Sequence, residues 1–240
     1  MTNAAPSHHP ISSETSFMRL AFVALVAVTG LHLSAQLSVP NGSVASSSQV
    51  FLMPLLLLAL WAGTRAPRGR LVTLVLVALL FSWSGDTLPR FFSGDAAFLA
   101  MVAGFLVAQV FYILAFQPSW RRCVLTRPWW LTPYAVVFVV LIALCYENAG
   151  PMLVPVIVYG LALVTMAVLA TGLGRLAAVG GAVFLVSDSL IALRAFADIS
   201  LPSHSFWVML TYVLGQALLV VAVGHRVDVH RGSKRVQVSD

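Results

Sequence analysis

Residues 71–88, LVTLVLVALLFSWSGDTL, form an apolar run interrupted near its end by one carboxylate, Asp86. Residues 174–193, GRLAAVGGAVFLVSDSLIAL, repeat that arrangement around Asp188. A helix of about 20 apolar residues crosses a bilayer, so both runs read as spanning helices. A carboxylate at the centre of such a helix costs roughly 2.5–3.5 kcal/mol on insertion scales. The chain has eight acidic residues, and the other six fall in tails or near expected helix ends. A penalty of that size, met twice, points to a polar interior site built around the pair.

The rest of the chain agrees. Of its 240 residues, 60% are hydrophobic and 9% charged. A soluble domain carries about 25% charged residues, so a water-soluble globule is excluded. Apolar runs recur at 17–39, 49–63, 71–88, 96–117, 130–146, 152–170, 175–196 and 205–224. Turn-forming clusters separate them, such as Pro40-Asn41-Gly42 with Ser46–Ser48, and Pro67-Arg68-Gly69. With the N-terminus inside, Arg19, Arg65, Arg68, Arg70, Arg121, Arg122, Arg127, Arg175, Arg226, Arg231, Lys234 and Arg235 all lie on the inner side. These are 12 of the 14 basic residues, and only Arg90 and Arg194 fall outside. The positive-inside rule then orients the chain. The expected fold class is an all-α membrane protein with eight transmembrane helices and both termini cytoplasmic.

The expected organisation is a polar, disordered tail over 1–16, one eight-helix domain over 17–224, and a basic tail over 225–240. Trp120, Trp129 and Trp130 flank an inner loop as an aromatic belt does. The net charge of +6 sits in loops and tails and carries no nucleic-acid motif, so no nucleic-acid partner is expected. Cys123 and Cys145 fall near opposite faces and should not pair. Short loops and one compact membrane domain lean toward a bacterial inner membrane, and self-association into a homo-oligomer is left open.

The two acids share a local pattern. Asp86-Thr87-Leu88 corresponds to Asp188-Ser189-Leu190, and FLVAQVF with Gln109 corresponds to YVLGQAL with Gln216. Two parallel four-helix halves would produce this weak repeat. Each acid lies about 20 Å along its helix from the inner end, at 1.5 Å per residue. At matched depth the carboxyls can meet. Two carboxyls that meet out of water can share one proton, so that one donates while the other stays an anion.

Other polar residues could complete a site. Ser82 stands one turn before Asp86 on the same helix face, and Ser187 and Ser189 flank Asp188. Gln109, Tyr112, Tyr159, Tyr212 and Gln216 are further polar groups at membrane depth. Gly85, Gly104, Ala108, Gly180 and Gly181 would let helices approach closely. Each has a structural alternative. Serines in spanning helices bond their own i−4 carbonyl, tyrosines anchor at interfaces, and glutamines join helices. Arg90 and Arg194 either snorkel to headgroups or bind a substrate phosphate. Asp86 and Arg90 have the i, i+4 spacing of a structural ion pair, with Pro89 between them to break the register. His32 is the single histidine expected within a span, and no metal-ligand cluster, nucleophile elbow, P-loop or dinucleotide fingerprint appears. No metal or cofactor is expected.

LLFSWSGDTL followed by GAVFLVSDSLIAL resembles the YhhN family of membrane proteins, which includes the lysoplasmalogenases. GFLVAQVFYILAF is similar to its fourth helix, Pro155-Val156-x-x-Tyr159 with Met166 and Ala170 to its sixth, and TYVLGQALL to its eighth. The resemblance covers roughly residues 20–224. It implies an eight-helix integral protein that hydrolyses the vinyl-ether bond of lysoplasmalogens to a fatty aldehyde and a glycerophospho-amine. The family's acids in its S-x-x-G-D and S-D motifs map onto Asp86 and Asp188. These are the expected catalytic pair, with Ser82, Arg90, Gln109, Tyr112, Tyr159, Ser187 and Gln216 around the substrate. The implied partners are the bilayer and a lysophospholipid. Two positions depart from the family: Met53-Pro54 stands where Lys-Pro is common, and Gln109 where a histidine is common. A proton-coupled transporter and a non-catalytic lipid-binding protein are the competing readings of the same acids.

Overall fold

The computed structural model describes the backbone of residues 11–40, 42–126 and 128–237, and side chains within 17–227 other than 41, 127 and 128. Eight α-helices follow one another, and the described residues contain no strand. They are α1 Ile11–Ser38, α2 Ser43–Gly63, α3 Arg70–Thr87, α4 Gly94–Phe116, α5 Thr132–Ala149, α6 Leu153–Ala170, α7 Arg175–Phe196 and α8 His204–Gln237. The chain is thus all-helical. Seven helical stretches are long and apolar enough to cross a membrane. One of these, Trp129–Leu173, contains both α5 and α6.

That long stretch is broken at Gly150, whose φ of +46 lies in the region that glycine tolerates. Contacts to α7 fix the directions on either side. The Cys145 thiol faces the Ala192 carbonyl, and Asn148 Nδ2 donates to the Phe196 carbonyl, so α5 and α7 run parallel. Tyr159 meets Asp188, and Gly181 abuts Ala167, so α6 and α7 run antiparallel. Hence α5 and α6 fold back on each other.

Boundaries match the sequence reading closely for α3 to α7 and depart from it elsewhere. The second span was expected from 49, but α2 begins at Ser43. Its first turns are serine-rich, which reads as a loop. Ser48 is buried there, donates to the Val44 carbonyl at 2.7 Å and meets His32 Nδ1 at 2.9 Å. The neighbouring helix α1 thus makes this polar segment tolerable inside the bundle. The tail expected over 1–16 lies outside the described residues as far as 10, and α1 begins at Ile11. The basic tail expected from 225 continues α8 to Gln237, beyond which the chain lies outside the described residues, as does Arg127.

The interior is a large cluster whose buried members include Leu52, Leu79, Tyr112, Phe116, Phe184 and Leu219, with a small second cluster of Cys145, Ala149, Val156 and Phe196. The outside is also apolar: Val23, Val26, Val139, Leu161 and Val179 are exposed by half or more. Such continuous exposed apolar surface belongs in lipid. The chain is a multi-pass membrane protein. Cys123 and Cys145 are both free and buried.

Two antiparallel helix pairs position the acids. In α3–α4, a Cβ on Gly104 would lie 2.6 Å from the Gly85 backbone nitrogen. In α7–α8, a Cβ on Gly215 would lie 2.8 Å from the Phe184 nitrogen and 3.0 Å from the Gly180 carbonyl oxygen. Both pairs therefore close through glycine, and backbones approach where no side chain fits.

Candidate active site

Asp86 sits in the last turn of α3 and is 8% exposed. Its Oδ2 accepts the Tyr212 hydroxyl at 2.8 Å, and its Oδ1 accepts Gln49 Nε2 at 3.1 Å. One turn earlier, Ser82 Oγ accepts Gln216 Nε2 at 3.1 Å. Asp86 and Ser82 share one face of α3, while Tyr212 and Gln216 share one face of α8. The i, i+4 spacing on both helices makes two rungs between antiparallel partners. Gln216 Oε1 accepts the Tyr112 hydroxyl at 2.5 Å, which ties α4 to the same ladder.

Asp188 lies on α7 and is half-buried. The Tyr159 hydroxyl of α6 donates to its Oδ2. Among the described residues no donor is assigned to its Oδ1. Asp188 therefore keeps an oxygen for something else.

The two carboxyls border one cavity of about 340 Å³, with Gln49, Arg90, Ser187 and Tyr212 among its walls. It adjoins a second cavity of about 380 Å³ through Gln49, Ile191, Val208 and Met209. Arg194 and His204 line that second space. Asp188 also borders two narrow apolar clefts, one beside Phe98 and Val156 and one beside Phe138 and Leu163. A polar chamber and greasy clefts thus meet at one carboxyl.

Arg90 does not form the i, i+4 pair with Asp86 that was the structural alternative for the acid. Helix α3 ends at Thr87, and a 3₁₀ turn over Leu88–Phe91 carries Arg90 away, with Pro89 at its start. Its guanidinium donates instead to Gln49 Oε1 at 3.4 Å, and Gln49 passes the contact on to Asp86. Arg194 reaches Ser205 Oγ at 3.4 Å.

The remaining expected residues divide. Ser187 lines the chamber and donates to the Val208 carbonyl across the α7–α8 contact at 3.0 Å. Ser189 bonds its own i−4 carbonyl at Leu185, as an isolated spanning serine does. Ser82, Tyr112 and Gln216 are fully buried behind the acids and border none of these cavities; their contacts are to one another. Gln109 is fully buried beside Tyr159, and neither end of its amide is paired among the described residues. Met53 is fully buried in the main core cluster, away from the chamber. Both departures from the family pattern therefore lie outside the cavity walls.

Gln49 is the residue the sequence reading missed. A span beginning at 49 put it at a helix end, where a glutamine carries no signal. Tyr212 drew attention only as a polar group at membrane depth. Its i, i+4 relation to Gln216, matched to Asp86 and Ser82, was the available clue.

The YhhN family profile matches residues 44–223, which contain every residue of this site. Lysoplasmalogenase TMEM86B of Homo sapiens is 30% identical over 176 residues, covering 71% of this chain and 72% of the human protein. The protein of that name from Rattus norvegicus is 32% identical over 181 residues, covering 73% and 72%. That of Mus musculus is 31% identical over 185 residues, covering 73% and 74%. No solved structure matches the chain. A family match running from α2 into α8, with relatives aligned over most of both lengths, places this chain in the YhhN family.

Proposed function

We propose that the chain is a lysoplasmalogenase-like hydrolase in which Asp188 and Asp86 cleave the vinyl-ether bond of a lysolipid. The observation that carries this reading is that both carboxyls border one cavity, where a polar chamber joins apolar clefts. A single-tailed lipid with a charged headgroup needs that combination. Three relatives that bear the name lysoplasmalogenase support it.

The unequal hydrogen bonding assigns the roles. Asp188 carries the proton on its unengaged oxygen and gives it to the vinyl carbon remote from the ether oxygen. This leaves an oxocarbenium ion across the other carbon and that oxygen. Asp86, held as an anion by Tyr212 and Gln49, faces the positive charge. Water adds to the cationic carbon and returns a proton to Asp188, forming a hemiacetal. The hemiacetal collapses as its hydroxyl proton passes to the leaving oxygen, giving the fatty aldehyde and the glycerophospho-amine with its glycerol hydroxyl restored. One water is consumed and the acid is restored. Arg90 and Arg194, around the polar chamber, meet the phosphate. Tyr159 and Ser187 position Asp188 and the wall beside it. Ser82, Tyr112 and Gln216 hold α3, α4 and α8 in register behind the site, and Gln109 backs Tyr159.

In this reading the bundle over 17–224 is one domain that crosses the membrane eight times, with both termini cytoplasmic. The fold-back of α5 on α6 and the placement of basic residues support that count and orientation. A bacterial inner membrane suits it. The test uses the full chain purified in detergent. It is incubated with a lysoplasmalogen and with an ester lysolipid, and products are read by mass spectrometry. Aldehyde from the vinyl ether alone is the expected result. Fatty acid from the ester, or no product from either lipid, would overturn the reading.

A further inference from the structure

A large groove has its mouth at the other end of α7. It has a volume of about 1000 Å³ and runs between α5 and α7. Ala178, Ala182, Val186 and Ser189 recur along one face of α7, and two of them are alanines, so the helix surface is hollowed there. Tyr134 and Val137 of α5 form the opposite wall. The mouth is different in kind. Arg122 and Arg175 stand there, both exposed, with Thr126 and Thr171 beside them. No acidic residue lines the cavity. Neither guanidinium has an ion-pair or hydrogen-bond partner among the described residues. Trp130, 61% exposed, stands at the same level, as a residue of the membrane interface does.

We infer that this groove binds a phospholipid of the membrane, with the phosphate between Arg122 and Arg175 and an acyl chain along α7. Guanidinium forks match phosphate oxygens, and a basic pocket between spanning helices on the cytoplasmic side selects anionic headgroups. The positive-inside distribution puts these two arginines on that side. Ligand cavities of about 300–1000 Å³ are usual for compact ligands. This one is at the top of that range, which suits a phospholipid better than a lone fatty acid. The mouth is remote from the aspartates: Arg175 and Asp188 are 13 residues apart on one helix, or about 20 Å at 1.5 Å per residue, while the far end of the groove shares Val137, Leu185 and Ser189 with an apolar cleft that borders Asp188. A lipid anchored by its phosphate at the mouth keeps its glycerol at the mouth. It therefore does not present its glycerol linkages to the carboxyls.

Native mass spectrometry of the full chain in detergent, with added phosphatidylglycerol or phosphatidylcholine, tests this directly. The wild-type protein should retain phosphatidylglycerol at least about fivefold more than phosphatidylcholine, the scale of a ~1 kcal/mol preference. Arg122→Gln combined with Arg175→Gln should abolish that preference, and Ala182→Trp should reduce retention of both lipids by filling the groove. Arg121→Gln is the control. Arg121 lies over the Trp120 ring at 5.5 Å and does not line the groove, so its loss should leave retention unchanged. Inorganic phosphate at millimolar concentration should not displace the lipid, and oleate should not replace it. Undiminished preference in the double variant, equal loss in Arg121→Gln, or displacement by phosphate or oleate would each overturn the site. Vinyl-ether turnover is not a readout here, so failure of the hydrolase reading leaves this result intact.

Discussion

In the α3–α4 pair the acid is enclosed, and in the α7–α8 pair it is open. Both pairs are antiparallel, close through glycine, and carry an aspartate followed by a hydroxyl residue and leucine. What differs is the third helix that covers each acid. Asp86 receives Gln49 from α2 and Tyr212 from α8, one on each oxygen. Among the described residues Asp188 receives only Tyr159 from α6, and its remaining side borders three cavities. Two similar local sequences thus yield a carboxyl with both oxygens engaged and a carboxyl with one oxygen open to a cavity, the difference on which the proposed anion and proton-donor roles rest. The surroundings of each acid are set by neighbours far away in sequence.

The sharpest way to break this contrast is to remove each acid in turn. Asp188→Asn deletes the proposed proton donor, and general acid catalysis of this kind contributes about 10²–10⁴-fold. Aldehyde release should fall by that much. Asp86→Asn should cost about 10²–10³-fold, the scale seen when one electrostatic stabiliser of a transition state is lost. Both proteins should elute from size exclusion as the wild type does. If Asp86→Asn were the more damaging by tenfold, the two roles would have to be exchanged.

The tyrosines come next. A hydrogen bond to a charged group is worth about 1.5–3 kcal/mol, which is roughly 10–150-fold in rate. Tyr212→Phe strips one of two donors from Asp86, and the loss should sit near the lower figure because Gln49 remains. Tyr159→Phe strips the donor from Asp188 and should cost more. Equal effects on kcat would mean that the two acids are less different than their surroundings imply.

Much of the bundle was legible because apolar runs and turn clusters obey simple length rules, and the acids stood out because carboxylates are costly in lipid. The register between α3 and α8 was partly legible: Ser82/Asp86 and Tyr212/Gln216 have matching spacing, yet nothing in a single sequence says that those two faces meet. Gln49 was hidden behind serine-rich first turns of α2, whose buried Ser48 is satisfied by the Val44 carbonyl and by His32 of α1. The fate of Arg90 followed from Pro89, which does end the helix register, but its new partner lay 41 residues away. Gln109 and Gln216 align in the repeat, yet one has no hydrogen-bond partner among the described residues and the other bonds two helices. Spacing gives faces, and only tertiary packing gives partners.

The glycine closures offer a smaller perturbation. Gly104→Ala would place a methyl 2.6 Å from the Gly85 nitrogen, where backbone must move. Overpacking of this sort costs about 1–3 kcal/mol. The melting temperature should fall, and activity should fall with it, because Gly85 adjoins Asp86. Gly215→Ala, 2.8 Å from the Phe184 nitrogen, should destabilise similarly but affect activity less, since Asp188 lies one turn further along α7. The pair therefore separates stability from site geometry, and thermal melts read beside turnover decide it.

The smallest effect is expected at Arg90. It is exposed and reaches Asp86 only through Gln49, over contacts of 3.4 and 3.1 Å. Exposed charges are screened and hold their partners weakly. Arg90→Gln should therefore raise KM a few-fold, about threefold to tenfold, by losing the headgroup phosphate, and should leave kcat within about twofold. The rise should shrink as salt is added, because screening already weakens what the substitution removes. A fall in kcat of more than tenfold at constant KM would instead show that the guanidinium acts on Asp86 through the Gln49 amide. The enclosed acid would then belong to a four-residue unit of Arg90, Gln49, Asp86 and Tyr212. The contrast between the halves would become one between a charge-balanced carboxylate and an isolated one.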